Sequence, residues 1–461
     1  MHSVIEVYNL TGLHPLDEAR YGLRSAPRWA HGVVATRRNS LLFLARCAPP
    51  CAHVSHSAVR PTEVSRIVGT ERWLLPEGID EVLPPQTHTL ECVRRDVLDI
   101  FHCWGYDLVI PPFIEYLDSL LTGTGSDLDL QTFKLTDQLS GRLMGVRADM
   151  TPQVARIDAH RLRRDEPVRL CYLGTVLRTR PDGADASRSP MQVGAELYGH
   201  SGADSDVEVI RLMLAMLRVV GITQEIHIDL GHVGIFRGLA RHAGLSGPQE
   251  ADLFDALQRK ARTEINEQVA AVKNSQARDM LAGLIDLNGG AEVLIQARAA
   301  LGAAPRAVHD ALDNLERIAA QLQQQSETST LYFDLAELRG YQYQTGVVFA
   351  AYVPGHGQEV ARGGRYDDIG KVFGRARPAT GFSADLKTLI ALGTRTTVPV
   401  RGIFAPAMEN SALNAAITRL RQAGERVVCG LPGQVGNARA MQCDRVLALQ
   451  GNEWVVTKEE A

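Results

Sequence analysis

The stretch VRLCYLGTVLRTRPDGADASRSPMQVGAELYG, residues 168–199, decides how the chain is read. VRLCYLGTVLR and MQVGAELYG are apolar strand runs, and the segment between them is rich in Arg, Ser, Asp, Gly and Pro, the residues of a polar turn. Two strands joined by a polar loop, with Arg178 at its edge, suit a nucleotide or anion site. Side chains alternate across a strand, so Gln192, Gly194 and Glu196 share one face. In a sheet facing water that face would be ordinary surface polarity; over a cleft it would be a site.

Outward from this hairpin, Leu90, Val93, Val97, Phe101 and Trp104 recur at helical spacing, and Gly105 ends that helix. DLVIPP follows and is expected to be a short buried strand stopped by Pro111 and Pro112. QTFKLTDQLSGRLMGVRAD alternates and turns at Ser140-Gly141, a hairpin pattern. Residues 204–221 read as an amphipathic helix and EIHIDLGH as a strand. Residues 235–325 are rich in Ala, Leu, Gln and Arg with helical periodicity, broken by Gly289-Gly290, and are expected to form a helical insertion. LYFDL, VVFAAYV and the stretch Gly381–Leu389 return to strand and helix. Residues 398–461 read as a small α/β tail: RGIFAP, a helix from Leu413 to Gly424, ERVVCGLPG and DRVLALQGNEWVV. The class is α+β, a mostly antiparallel sheet flanked by helices.

The chain of 461 residues is long enough for two or three domains. A formal net charge of -4 gives no global attraction to nucleic acid. The seven cysteines are scattered without a CxxC pair, which argues against a disulfide framework and for a reducing cytoplasm. No apolar run is long enough to span a bilayer. Residues 1–67 carry many Arg, few acids and little periodicity; this segment is expected to be disordered or mis-assigned, with Val68 the start to test. A transit peptide is the rival reading, opposed by Glu6, Asp17 and Glu18.

Further clusters carry possible chemistry. In VRADMTPQVARI, Asp149 and Thr151 follow a strand and precede a helix, where either could simply cap free N–H groups. In ELRGYQYQTGVVF, Arg339 and Tyr343 flank Gly340, which is equally consistent with a strand-turn-strand. ARGGRYDDIG sets two glycines between Arg362 and Arg365, weak evidence alone.

Taken in order, these clusters resemble the catalytic core of histidyl-tRNA synthetases, which are class II aminoacyl-tRNA synthetases, over roughly residues 73–395. WLLPEGIDEVLPP looks like that family's entry segment. The first helix plus DLVIPPFIEYLDSL resembles its motif 1, LRTRP its motif 2, ATGFSADLKTL its motif 3, and ELRGYQYQTGVVF and ARGGRYDD its two histidine-specific stretches. The resemblance implies ammonium acceptors at Asp149, Thr151 and Gln192, carboxylate donors at Arg178 and Gln192, an imidazole contact at Glu196 with Tyr343 as aromatic wall, and Arg339 near the ligand carboxylate.

The departures fall on the ATP half. The motif 2 Glu that accepts from adenine is Arg180, a donor only. The motif 3 Arg falls on Thr388, and Lys387 beside it points elsewhere on a helix. Gln342 and Gln344 stand where Asp and Tyr are expected, and Asp149 is shorter than the usual Glu. Each lost charged contact is worth about 1.5–3 kcal/mol, so adenylate formation should fall by orders of magnitude. The tail is shorter than an anticodon-binding domain of about a hundred residues and shows no basic cluster, so no tRNA surface is expected.

QLSGRLMGVRADMTPQVARI, MQVGAELYG and RGYQYQTGVVF resemble most the histidyl-tRNA-synthetase-like regulatory subunits of ATP phosphoribosyltransferase. That resemblance implies a non-catalytic, cytoplasmic chain without cofactor or metal. It would partner the short catalytic subunit that opens histidine biosynthesis, in a hetero-octamer with equal numbers of each chain. It would self-dimerise through Leu90 to Leu120 and confer inhibition by L-histidine, bound in the relic pocket or at a subunit interface. The implied domains are residues 68–395, with the insertion at about 235–325, and 398–461. The alternatives are a divergent histidyl-tRNA synthetase or paralogue with residual adenylate chemistry, and a plain amino-acid-binding or scaffold module.

Overall fold

The computed structural model describes residues 73–122, 126–181, 187–324, 329–337, 340, 343–395 and 401–458. The expectations for residues 1–67, including Cys47 and Cys51, and for Arg339 and Gln342 lie outside the described residues.

The decisive hairpin forms as read. Strands appear in the order β1 (Asp107–Leu108), β2 (Ile114–Tyr116), β3 (Lys134–Thr136), β4 (Leu143–Val146), β5 (Val168–Thr175), β6 (Met191–Tyr198), β7 (Ile226–His232), β8 (Asn288–Gly289), β9 (Ser329–Asp334), β10 (Val347–Tyr352), β11 (Ala361–Arg365) and β12 (Ala379–Asp385). β5 and β6 pair antiparallel from Val168↔Tyr198 to Thr175↔Met191. They sit in a nine-stranded sheet of order β1-β5-β6-β12-β11-β10-β7-β9-β8. Its pairs are antiparallel except β1 with β5 and β7 with β9. A separate small sheet, β2-β4-β3, holds the predicted hairpin, with Gly141 at φ +71° in its turn.

The two faces of the large sheet follow the period of two. Val193, Ala195 and Leu197 face a large core shared with the helices, whereas Leu170, Tyr172 and Tyr198 belong to a second core on the opposite face. The helix side is covered by α1 (Gln86–Cys103), which buries Val93, Val97 and Phe101, and by α2 (Ala203–Val220). Gly221, at φ +101°, ends α2 in the left-handed conformation that an L side chain rarely adopts.

Residues 233–323 form six α-helices and a short 3-10 turn: α3 (Val233–Ala243), α4 (Gly247–Gln258), α5 (Arg262–Val269), α6 (Ser275–Gly283), α7 (Glu292–Ala300) and the long α8 (Arg306–Gln323), with β8 between α6 and α7. The Gly289-Gly290 break falls at the end of β8. Their apolar residues, such as Leu253, Leu281 and Leu315, join the same core as the sheet. α9 (Leu386–Leu392) follows β12.

The tail is a four-stranded sheet of order β14-β13-β15-β16, from β13 (Ile403–Ala405), β14 (Val427–Cys429), β15 (Arg445–Gln450) and β16 (Glu453–Lys458), with α10 (Ser411–Gln422) between β13 and β14. Ile403, Leu413, Ile417, Val427 and Leu447 form its own small core. DRVLALQGNEWVV is thus a hairpin, turning at Gly451 with φ +60°. No described helix is long and apolar enough to cross a membrane, and no described cysteine forms a disulfide.

One expectation is corrected. DLVIPP is not a buried strand: β1 is two residues long, and Leu108 and Ile110 are 45% and 81% exposed. β1 is the sheet's edge, paired on one side only. Pro111 and Pro112 end it, and among the described residues Leu108 and Ile110 are left open to solvent.

Candidate functional site

Gln192 and Glu196 are 4% and 1% exposed, which excludes the solvated-face reading of β6. Their face lines a cavity of about 450 Å³. Asp149, Thr151, Arg178, Gln192, Glu196 and Tyr343 all border it, from the β4 exit loop, the β5–β6 hairpin and the turn before β10.

The floor is a lateral row of residues in register: Glu196 on β6 pairs with Gly381 on β12, which pairs with Gly364 on β11. The glycines are required by close approach. A Cβ at Gly381 would lie 1.5 Å from Glu196 Oε2, and one at Gly194 would lie 2.4 Å from the Tyr172 hydroxyl. The polar heads therefore lie flat across bare backbone.

Glu196 Oε1 accepts a hydrogen bond from Tyr172 at 2.9 Å, and Oε2 accepts one from Tyr366. Burial pushes the Glu196 carboxyl up to about 8, against the lowering effect of the two tyrosine donors, with the nearby Asp149 charge adding to the rise. Burial thus favours the protonated carboxyl over the carboxylate. Burial likewise holds both tyrosine hydroxyls well above their ordinary range.

The loop after β4 is pinned to β6. Gln192 Oε1 accepts from the Met150 N–H at 2.8 Å, and Gln192 Nε2 donates to Asp149 Oδ1 at 2.7 Å. The same Asp149 oxygen accepts the Thr151 N–H at 2.9 Å, a local turn ahead of the short helix Thr151–Arg156, whose N-cap position is Met150, and Asp149 borders the cavity. Thr151 Oγ1 lies 3.0 Å from the Tyr172 hydroxyl, joining this loop to the Glu196 group.

The Gly-Gly turn separates two different arginines. Arg362 borders the cavity and pairs with Glu359 at 3.0 Å. Arg365 turns the other way, 6% exposed, to the wholly buried Asp206 at 2.9 Å. On the side that the resemblance assigns to ATP, Arg180 is exposed. Thr388 donates to Asp385 at 2.8 Å, within its own helix cap. Lys387 points elsewhere, as its place on the helix implied: it reaches Asp80 at 3.0 Å and the Ser189 carbonyl at 2.9 Å.

Sequence reasoning missed Tyr172 and Tyr366, because a Tyr in an apolar run reads as core. It also passed over Ser383 and, from the insertion, Phe254 and Gln258, which line the cavity from α4. The register of Tyr172 opposite Gly194 was the available signal. Among the described residues no His, Cys, Asp and Glu cluster suits a metal ion.

A mostly antiparallel sheet with this cavity on its face defines a class II aminoacyl-tRNA-synthetase-like protein. The family model for histidyl-tRNA synthetase matches residues 78–389. A histidyl-tRNA synthetase structure from Nostoc sp. PCC 7120 shares the fold, with a TM-score of 0.66 at 18% identity, covering 84% of this chain and 97% of that one. A structure from Bacillus halodurans, described as an ATP phosphoribosyltransferase regulatory subunit/histidyl-tRNA synthetase, has a TM-score of 0.72 at 28% identity, covering 81% and 97%.

The tail is more specific: residues 400–457 match the model described as ATP phosphoribosyltransferase subunit HisZ C-terminal domain. The ATP phosphoribosyltransferase regulatory subunit of Thioalkalivibrio sulfidiphilus is 63% identical over 391 residues, 84% of this chain and 99% of that protein. That of Alkalilimnicola ehrlichii is 60% identical over 388 residues, 83% and 96%. The chain belongs to the family of ATP phosphoribosyltransferase regulatory subunits.

Proposed function

We propose that this chain is a non-catalytic regulatory subunit of ATP phosphoribosyltransferase, needed for activity of the short catalytic subunit in the first step of L-histidine biosynthesis and for its inhibition by histidine. The observation that carries the reading is the asymmetry of the cavity. Its amino-acid end is a complete, interlocked set of acceptors and donors built on Asp149, Thr151, Gln192 and Glu196. On the side that the resemblance assigns to ATP, Thr388 and Asp385 do not border the cavity and spend their polar groups on a helix cap. A site so arranged holds an amino acid and lacks the groups that would activate it with ATP.

In this reading the ammonium of histidine sits by Asp149, Thr151 and Gln192, its carboxylate by Arg178 and Arg339, and its ring between Tyr343 and the Glu196 floor. Occupancy shifts the complex between states in proportion to its differential affinity for them. The chain self-dimerises through Leu90 to Leu120 and assembles with the catalytic subunit as a hetero-octamer in the cytoplasm. The exposed apolar residues Leu108, Ile110, Phe113 and Ile114 support that dimer face.

The test is histidine-dependent ATP–pyrophosphate exchange by the purified chain alone. The reading expects none. Clear exchange would establish the alternative, a chain with residual aminoacyl-adenylate chemistry. The short catalytic subunit is then added, and phosphoribosyl transfer should appear and be inhibited by histidine.

A further inference from the structure

Beyond Thr175 and Met191, the last ladder pair of β5 with β6, the hairpin changes how it pairs. The Val176 N–H donates to the Pro190 carbonyl at 3.1 Å, and Pro190 has no N–H to return. The Arg178 N–H then donates to the Arg188 carbonyl at 2.8 Å. An antiparallel pair of this kind is normally closed by the opposite main-chain N–H. Here the Arg188 N–H goes instead to the Gly78 carbonyl at 2.7 Å, in the segment that leads into α1. The Arg188 side chain takes its place, with Nε donating to the Arg178 carbonyl at 3.0 Å. One residue thus holds the Arg178 main chain at both its N–H and its carbonyl.

Arg188 is held in turn. Its Nη1 donates to the Glu77 carbonyl at 2.9 Å, and its guanidinium lies 5.4 Å from the centre of the Phe133 ring. Gly78 lets the leading segment lie against the arginine stem: its φ is +72°, and a Cβ there would sit 3.0 Å from Arg188 Cγ and Cδ. Asp80 fastens the same segment. It accepts from Ser187 Oγ at 2.7 Å, from Ser189 Oγ at 3.1 Å and from Lys387 Nζ at 3.0 Å. Arg178 borders the cavity and Arg188 does not.

An arginine side chain is long and flexible, and ordering it on binding costs free energy. It delivers its charge to one point cheaply only from a fixed main chain. The side-chain bond from Arg188 fixes that main chain where the hairpin ladder no longer does.

We propose that Arg188 is a positioning residue: it sets the main chain of Arg178 so that the Arg178 guanidinium meets the carboxylate of the bound amino acid. Gly78 and Asp80 are its support. This rests on the histidine reading of the cavity given above.

The test is isothermal titration calorimetry on the full chain with L-histidine and with L-histidinol. Histidinol keeps the ammonium and the ring and carries a neutral CH2OH in place of the carboxylate. Arg188→Met keeps an apolar stem and removes the donors. It should weaken histidine by about tenfold, the scale of a hydrogen bond to a charged group, and leave histidinol within about twofold. Arg178→Met should show the same selective loss. The double variant should bind histidine within about twofold of Arg178→Met, because no guanidinium remains for Arg188 to place. Unchanged histidine binding in Arg188→Met, equal loss of both ligands, or additive losses in the double variant would overturn the assignment.

Gly78→Ala crowds the Arg188 stem without removing a donor, and it answers the same question should Arg188→Met fail to fold. It should weaken histidine selectively; equal loss of both ligands, or no loss, overturns the assignment. Absence of histidine binding by folded wild type would instead sink the histidine reading of the cavity, and the role of Arg188 with it.

Discussion

Glu196 shows how much one residue's surroundings decide. Its carboxyl is raised from the ordinary range to about 8. A carboxyl whose folded value lies above its unfolded one binds a proton in the folded state that the unfolded chain has released. The stability it contributes is complete below the unfolded value and is lost as pH rises through about 8. The unfolding free energy from urea titrations should therefore decline between pH 5 and pH 8.5 more in wild type than in Glu196→Gln, by an amount on the order of a few kcal/mol. Parallel profiles for the two proteins would refute this. His232 acts in the opposite sense: burial, with the Arg365 and Arg237 charges, depresses it to about 4, so it weakens the fold as pH falls below its unfolded value of 6.5.

Gly381→Ala puts a methyl where Glu196 Oε2 already lies. It should destabilise by about 1–3 kcal/mol or more in chemical denaturation, with loss of ligand binding. At this scale Asp149, Thr151, Arg178, Gln192, Glu196 and Tyr343 were singled out through the resemblance of their motifs to a known family, and they border one cavity. The tyrosines that hold Glu196 were not, since their hydroxyls matter only once strand register places them.

Among the elements, the pairing of β5 with β6 and the helices α1 and α2 were legible from periodicity, with Gly105 marking the end of α1. The burial of β1 was not. An apolar run states that a surface avoids water, without stating whether the same chain covers it. The buried ion pair joining β11 to α2 was invisible for a related reason: Arg365 and Asp206 are 159 residues apart. Arg365 also donates to the His200 and Gly202 carbonyls and to Ser205, so the start of α2 is organised around one guanidinium. Arg365→Met leaves Asp206 buried without its partner, and the urea midpoint should report a loss of about 3–5 kcal/mol. The double variant Arg365→Met with Asp206→Leu should recover part of that loss. A double variant no more stable than the single one would argue against an ion-pair origin.

For the molecule as a whole, the proposed dimer puts Ile110 at its face. Ile110→Asp places a charge where an apolar contact is expected. Sedimentation velocity should show a shift toward monomer with secondary structure unchanged; an undisturbed dimer would move the interface elsewhere. The insertion shares the core of the sheet and also reaches the cavity through Phe254 and Gln258. Deleting residues 247–323 should therefore leave the rest of the chain unable to fold cooperatively, as judged by the loss of a single sharp thermal transition.

The glycine floor has a consequence for descent. Gly194, Gly381, Tyr172, Tyr366 and Glu196 each occupy space that another's side chain would need. Apart from an isosteric change such as Glu196→Gln, altering one of them alone brings a clash or a stranded carboxyl, so neutral drift has few single-step paths through this end of the cavity. Thr388 and Arg180 touch none of these five in the hydrogen-bond pattern, and their positions could wander freely. A lineage in which the old chemistry stopped being selected would lose the loosely held end first and carry the interlocked end forward. In a saturation mutagenesis library selected only for folded protein, those five positions should be nearly intolerant, while 180 and 388 should accept most residues.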